Sequence, residues 1–217
     1  MTAARTDFAL RLGDTCLILG QRLAEWIGHA PAVEEDIAIG NVALDLIGQA
    51  RLWLALAGDP DDLAYKRDAA GFRNLLLAEQ PNGDFAVTIA RQYLFDEWYG
   101  AVLAVLVAGT DTGIAEIAAQ CRRENAYHLT RHREWLLRLG DGTEESHRRM
   151  QTAIDDLWMF TGEMFEADGA LVDLPSLRPG WAGRVGNTLA SATLTVPKDG
   201  WMQTGGQQGR HTEHLGY

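Results

Sequence analysis

Between Glu34 and Ala57 the sequence reads EEDIAIGNVALDLIGQARLWLALA, and after the three leading acids only Asp45 and Arg51 carry charge. Acids at the start suit the positive end of a helix dipole. A surface helix alternates an apolar stripe with a polar face, and this segment has almost no polar face. It must therefore be covered on most sides, by its own domain or by a partner. Asp45 stands out in such a helix, with Asn41 one turn before it and Gly48 three residues after it on the same face. A buried acid without a partner is costly, so something has to face Asp45.

The rest of the chain is helical by the same test. Phe8–Ile27 has apolar residues at helical spacing, and Gly28-His29-Ala30-Pro31 joins it to the Glu34 helix as an antiparallel hairpin. Gly58–Asp62 ends that helix. Leu63–Glu79 reads as short helical pieces broken at Gly71, and Gln80–Gly83 is a turn. Asp84 is placed to cap a third long helix, Phe85–Ala108. Gly109–Gly113 then separates it from an amphipathic fourth, Ile114–Leu139, whose polar face carries Arg122, Arg123, Arg131 and Arg133. A fifth is expected over Glu144–Phe165, an irregular crossing over Asp168–Pro179, and a shorter sixth over Trp181–Leu194. A tail rich in Gly and Gln begins at Pro197. No segment shows useful strand alternation. The expected class is all-α: one domain over 1–217, a ferritin-like bundle of two antiparallel hairpins with further C-terminal helices.

A formal net charge of −11 argues against a nucleic-acid binder, which needs a basic footprint. Two cysteines, Cys16 and Cys121, sit in helical patterns with no CxxC, which suits a reducing cytoplasm. The N-terminus lacks the pattern of a signal peptide, and no run approaches the roughly 20 apolar residues that span a bilayer. No membrane partner is expected.

Matching levels across the two hairpin turns puts Asp45 opposite Asp14 and Asp96 opposite Glu124. One acid from each of four helices is what a carboxylate-bridged di-iron centre uses, with a histidine three residues after two of them. That pattern fails twice. Gly48 follows Asp45 and Tyr127 follows Glu124 at the required spacing; His128 is one residue late, turned about a hundred degrees round the helix. The plain reading is that Arg, Tyr or water satisfies these acids, with Arg131 a candidate on the face of Glu124. His128 and His132, four apart, are a possible zinc pair without a third ligand, or a solvated or interface stripe. Glu213-His214 suits a cap or an interface. Lys66, Arg67 and Arg73 concentrate positive charge, as surface decoration or as an anion contact. There is no GxSxG, glycine-rich phosphate loop or Cys/His nucleophile arrangement.

The segments LRLGDTCLILGQRLAEWIGHAP, NVALDLIGQAR, NLLLAEQPNGDFAVTIARQYLFDEW, ENAYHL, WLLRLG and GRHTEHLG closely resemble the structural C subunits of bacterial ring-1,2-phenylacetyl-CoA epoxidases. The resemblance runs from about Leu10 to the end. It implies a ferritin-like sibling of a catalytic A subunit, which carries di-iron and inserts one oxygen atom into the ring of phenylacetyl-CoA. It implies no cofactor in this chain, a tight heterodimer with that A subunit, and assembly with other epoxidase subunits. Coenzyme A carries phosphates that need positive charge or backbone amides, so the resemblance makes Phe72, Arg73 and Asn74 candidate contacts to the substrate's CoA side. Two departures stand out: the crossing after Phe165 is shorter than the family pattern, and the family usually continues beyond the position of Tyr217. Two other readings stay open. One is an enzyme with a metal site rebuilt from Asp14, Asp45, Asp96, Glu124 and His128; the other is a ferritin-like bundle without a partner.

Overall fold

Two hairpins of long helices account for about half of the chain, and each turn is closed by a side chain close to it in sequence, Asp36 in the first and Asp111 in the second. In the computed structural model, residues 3–167 and 171–216 are described. Among them there are only α-helices, 3-10 turns and loops, so the chain is all-α as expected. They fall into two compact units. The first takes the chain up to Asn82 with the segment from Thr204, and the second takes most of Gly83–Gln203.

The first unit is built on α1 (Ala3–Ala24) and α2 (Val33–Leu54). Gly28 turns the chain between them at φ +88°. Its N–H and that of Ala30 donate to Asp36 Oδ1 at 2.8 and 3.4 Å. One of the three leading acids therefore clasps the turn as well as facing the helix dipole. Gly13 and Gly20 let the two helices approach closely. A Cβ at Gly13 would lie 2.8 Å from the Leu54 side chain, and one at Gly20 2.9 Å from that of Ile47. Leu12, Cys16, Leu19 and Leu23 of α1 are buried, as are Ile39, Leu46 and Trp53 of α2. Truncating a buried side chain of the size of Trp53 costs about 3–5 kcal/mol.

The expected short helical pieces are α3 (Pro60–Tyr65), a 3-10 turn at Ala69–Gly71, and α4 (Leu76–Glu79), which packs on α1. The tail forms a 3-10 turn at Gly206–Gln208. A Cβ on Gly206 would collide with the Asn74 carbonyl oxygen.

In the second unit α5 (Phe85–Val107) is the central helix, with α6 (Thr112–Gly140), α7 (Glu144–Trp158) and α8 (Leu174–Ser191) packed on it. Asp84 caps α5 as expected, accepting from Val87 N–H. From Ala86 to Tyr99 every residue of α5 except Val87 is buried.

Three expectations are corrected. The fifth helix stops at Trp158 rather than Phe165. Thr161 Oγ1 donates to the Trp158 carbonyl at 2.8 Å, and Trp98 Nε1 donates to the Met164 carbonyl at 2.7 Å. The chain there forms a 3-10 turn, Gly162–Phe165, with Gly162 pressed against Met202. The last long helix begins at Leu174, seven residues early. Pro175 is tolerated in its first turn, and Leu174, Trp181, Val185 and Leu189 form its buried stripe. It absorbs much of the expected crossing, of which residues 168–170 lie outside the described residues. Finally, α2 is long and apolar enough, by length and composition alone, to cross a membrane. It also carries Asp45 and packs one face on α1.

Candidate functional site

Asp14 is fully buried on α1, and its carboxylate is engaged from several directions. Arg67 Nη1 donates to Oδ2 at 2.9 Å and Arg67 Nη2 to Oδ1, while the Arg73 backbone N–H donates to Oδ2 at 2.8 Å. Burial pushes its pKa up, and the Arg67 guanidinium pulls against that shift. The surrounding loop is organised around this pair. The Arg67 guanidinium also lies 4.3 Å from the centre of the Phe72 ring and donates to the Gly71 carbonyl. The expected basic concentration is therefore divided. Lys66 pairs with Asp62 on the surface at 2.5 Å, whereas Arg67 has turned inward. A full charge on a buried carboxylate attracts the nearest cation that can reach it.

Of the candidate substrate contacts, Phe72 and Arg73 are half-exposed and Asn74 is fully buried. Arg73 Nη1 donates to the carbonyls of Ala70 and Phe72 at 2.8 and 2.7 Å. Beside them is a pair that motif reading missed. His211 Nδ1 lies 3.4 Å from Oε1 of the fully buried Glu79, and His211 Nε2 3.2 Å from the Phe72 carbonyl. The acid inside LLLAEQ was its one sequence signal; its partner is 132 residues away.

In the second unit the carboxylate of Asp96 is held by His132, Nδ1 to Oδ2 at 2.6 Å. Asn125 Nδ2 donates to the Asp96 carbonyl at 3.1 Å, which puts Asp96 within one residue of the level expected for Glu124. Burial drives Asp96 up to about 8; His128 and Arg131 oppose the rise and Glu97 adds to it. His128 and His132 are each 1% exposed, which corrects the reading of a solvated or interface stripe. They belong to the buried face of α6, which runs through Ile114, Ala118, Cys121, Asn125, His128, His132 and Leu136. Glu97 accepts from Arg184 Nε at 2.7 Å.

These residues do not fit a di-iron centre. Both oxygens of Asp14 are committed to Arg67, and Asp96 to an imidazole from its own hairpin. At Gly48 a Cβ would meet nothing within 4 Å, and Tyr127 is 63% exposed. Among the described residues, no three His, Cys, Asp or Glu side chains converge as a metal-holding set.

What α2 offers instead is surface. Val33, Ile37 and Leu44 are 72, 61 and 68% exposed, and Ile47 is 39% exposed. With Gly40 and Gly48 they recur at helical spacing on one side. Nothing lies within 4 Å of a Cβ built at either glycine. The apolar helix is thus covered on one face by α1 and open on the other.

Over residues 1–217 the sequence matches the family described as Phenylacetic acid catabolic protein. The chain belongs to that family. It is 49% identical over 226 residues to the C subunit of the 1,2-phenylacetyl-CoA epoxidase of Escherichia coli (strain K12), covering 97% of this chain and 91% of the relative. The resemblance carried by the quoted segments is borne out. Within this family the committed carboxylates and the open stripe on α2 are the two features that bear on role.

Proposed function

We propose that the chain is the non-catalytic structural subunit of a multicomponent di-iron oxygenase that epoxidises the ring of phenylacetyl-CoA in aerobic phenylacetate catabolism. Its partners are a homologous catalytic A subunit, which holds the iron, and the other epoxidase subunits. The complex works in the cytoplasm. The observation that carries this reading is the exposed stripe of α2 in a chain 49% identical to a subunit of such an epoxidase. A large apolar face on a lone chain marks an association site, and obligate interfaces commonly bury more than about 2,000 Å². The role in catalysis is indirect, because the carboxylates that a metal would need are spent on Arg67 and His132.

The substrate's CoA side meets Phe72 and Arg73 in this proposal, with Asn74 as their buried support. Arg73→Ala in the assembled complex then raises KM for phenylacetyl-CoA several-fold with kcat little changed, as lost uniform binding does. Co-expression with the catalytic subunit, followed by size-exclusion chromatography and metal analysis, tests the whole reading. One co-eluting peak whose iron belongs to the partner supports it. A chain that stays monomeric beside the catalytic subunit at micromolar concentration overturns it.

A further inference from the structure

A groove of about 430 Å³ runs along the second unit between α5 and α6, and none of the residues that line it is assigned above to iron or CoA. Its rim on α6 repeats at helical spacing: Arg122, Ala126, Leu129, Arg133. Across from them α5 contributes Gly100 and Ala101, and Asn125 is pinned in the wall by its bond to the Asp96 carbonyl. The groove has a cation at each end and an apolar floor between them. Glu97 and Arg184 also line it, but they neutralise each other at 2.7 Å. Arg122 and Arg133 are both exposed, and neither has an ion-pair partner among the described residues. Two uncommitted guanidiniums on one groove are notable in a chain of net charge −11.

We infer that this groove binds a small amphipathic dianion, a molecule with a carboxylate or phosphate at each end of an apolar middle. The two arginines are eleven residues apart, about 16 Å along the helix axis at 1.5 Å per residue. Both guanidiniums sit on long, rotatable stems, so a dianion whose acids stand up to about that far apart can reach both. An extended hydrocarbon chain can lie along such a groove, over Ala126 and Leu129. Pockets for small molecules commonly have volumes of about 300–1,000 Å³. Arginine binds carboxylate or phosphate through paired N–H donors, which fixes each end.

The test is titration calorimetry of the full chain with sebacate, a ten-carbon dicarboxylate, beside decanoate and inorganic phosphate. Sebacate is expected to bind at least tenfold more tightly than either single-ended probe. Arg122→Ala and Arg133→Ala should each weaken sebacate at least fivefold and bring it down to the level of decanoate. Both sites are exposed, so unchanged circular dichroism and melting temperature will show that the variants are folded. Sebacate binding no better than phosphate, or indifferent to both substitutions, overturns the inference. So does a result in which the variants lose assembly with the catalytic subunit while the wild-type chain ignores sebacate; the groove is then a protein-docking surface.

Discussion

His132 Nδ1 stands 2.6 Å from Asp96 Oδ2, and both side chains are 1% exposed. An acid whose position suggested metal binding instead ties α5 to α6 through an imidazole. The contact is short and fully buried. Burial is the main reason Asp96 titrates near 8, and the nearby His128 and Arg131 keep it from rising further.

Asp96→Asn should flatten the dependence of stability on pH. The folded pKa is raised, so between about pH 4 and 8 the folded chain keeps a proton that the unfolded chain has lost. The sign follows: this group's contribution favours folding at low pH and declines as pH rises, levelling off above about 8. Its limiting slope is about 1.4 kcal/mol per pH unit. Urea unfolding at intervals from pH 5 to 8.5 checks this. The variant should gain on the wild type steadily toward pH 8, and parallel curves would show that Asp96 does not titrate in this range.

The hairpins were legible in the sequence because their signals are local. Asp84 as a cap, Gly28 in a turn and the 3.6-residue period of α6 all act within a few residues. What faces the acids was not legible. Arg67 reaches Asp14 across 53 positions, and His211 lies near Glu79 across 132. His132 was misread because a histidine on an arginine-rich helix looks solvated, although it lies about a quarter turn round that helix from Arg122 and Arg133, on its buried face. The fifth helix was drawn too long because Thr161 and Gly162 are weak breakers; the Trp98 indole and the Met202 side chain, both distant in sequence, give that bend its contacts. The apolar character of α2 showed that it needs cover, but not which face its own chain leaves open.

Arg67→Ala should be strongly destabilising, by about 3–5 kcal/mol, because it strands a carboxylate that is 0% exposed. Asp14→Asn should cost less, since a neutral amide tolerates burial better and still accepts from the Arg73 N–H. The double variant should then cost less than the two singles added together. Denaturant titration of all four proteins gives the cycle. Additive losses would mean that the pair contributes nothing beyond its separate side chains.

The isolated chain should hold no stoichiometric iron, manganese or zinc. The reason is chemical: Asp14 is saturated by guanidinium and amide donors, and Gly48 and Tyr127 stand where imidazole ligands would be needed. Elemental analysis after dialysis of aerobically purified protein checks it. Stoichiometric metal that survives dialysis and disappears in Asp45→Ala would restore the reading of a rebuilt metal site.

Gly48 and Leu44 separate folding from docking on the open face of α2. In the chain alone, Gly48→Ala adds a methyl to a helix at a point where nothing lies within 4 Å. It should stabilise by about 0.8–1 kcal/mol from helix propensity. If a partner helix packs closely on that face, the same methyl lies in its path, and affinity for the catalytic subunit should fall at least tenfold, about 1.4 kcal/mol. Leu44→Asp, at a residue already 68% exposed, should leave the melting temperature of the lone chain nearly unchanged and abolish co-elution. The opposite signs of Gly48→Ala in the two assays are the decisive result. A variant that is stabilised alone and still binds with unchanged affinity would move the interface off this face of α2.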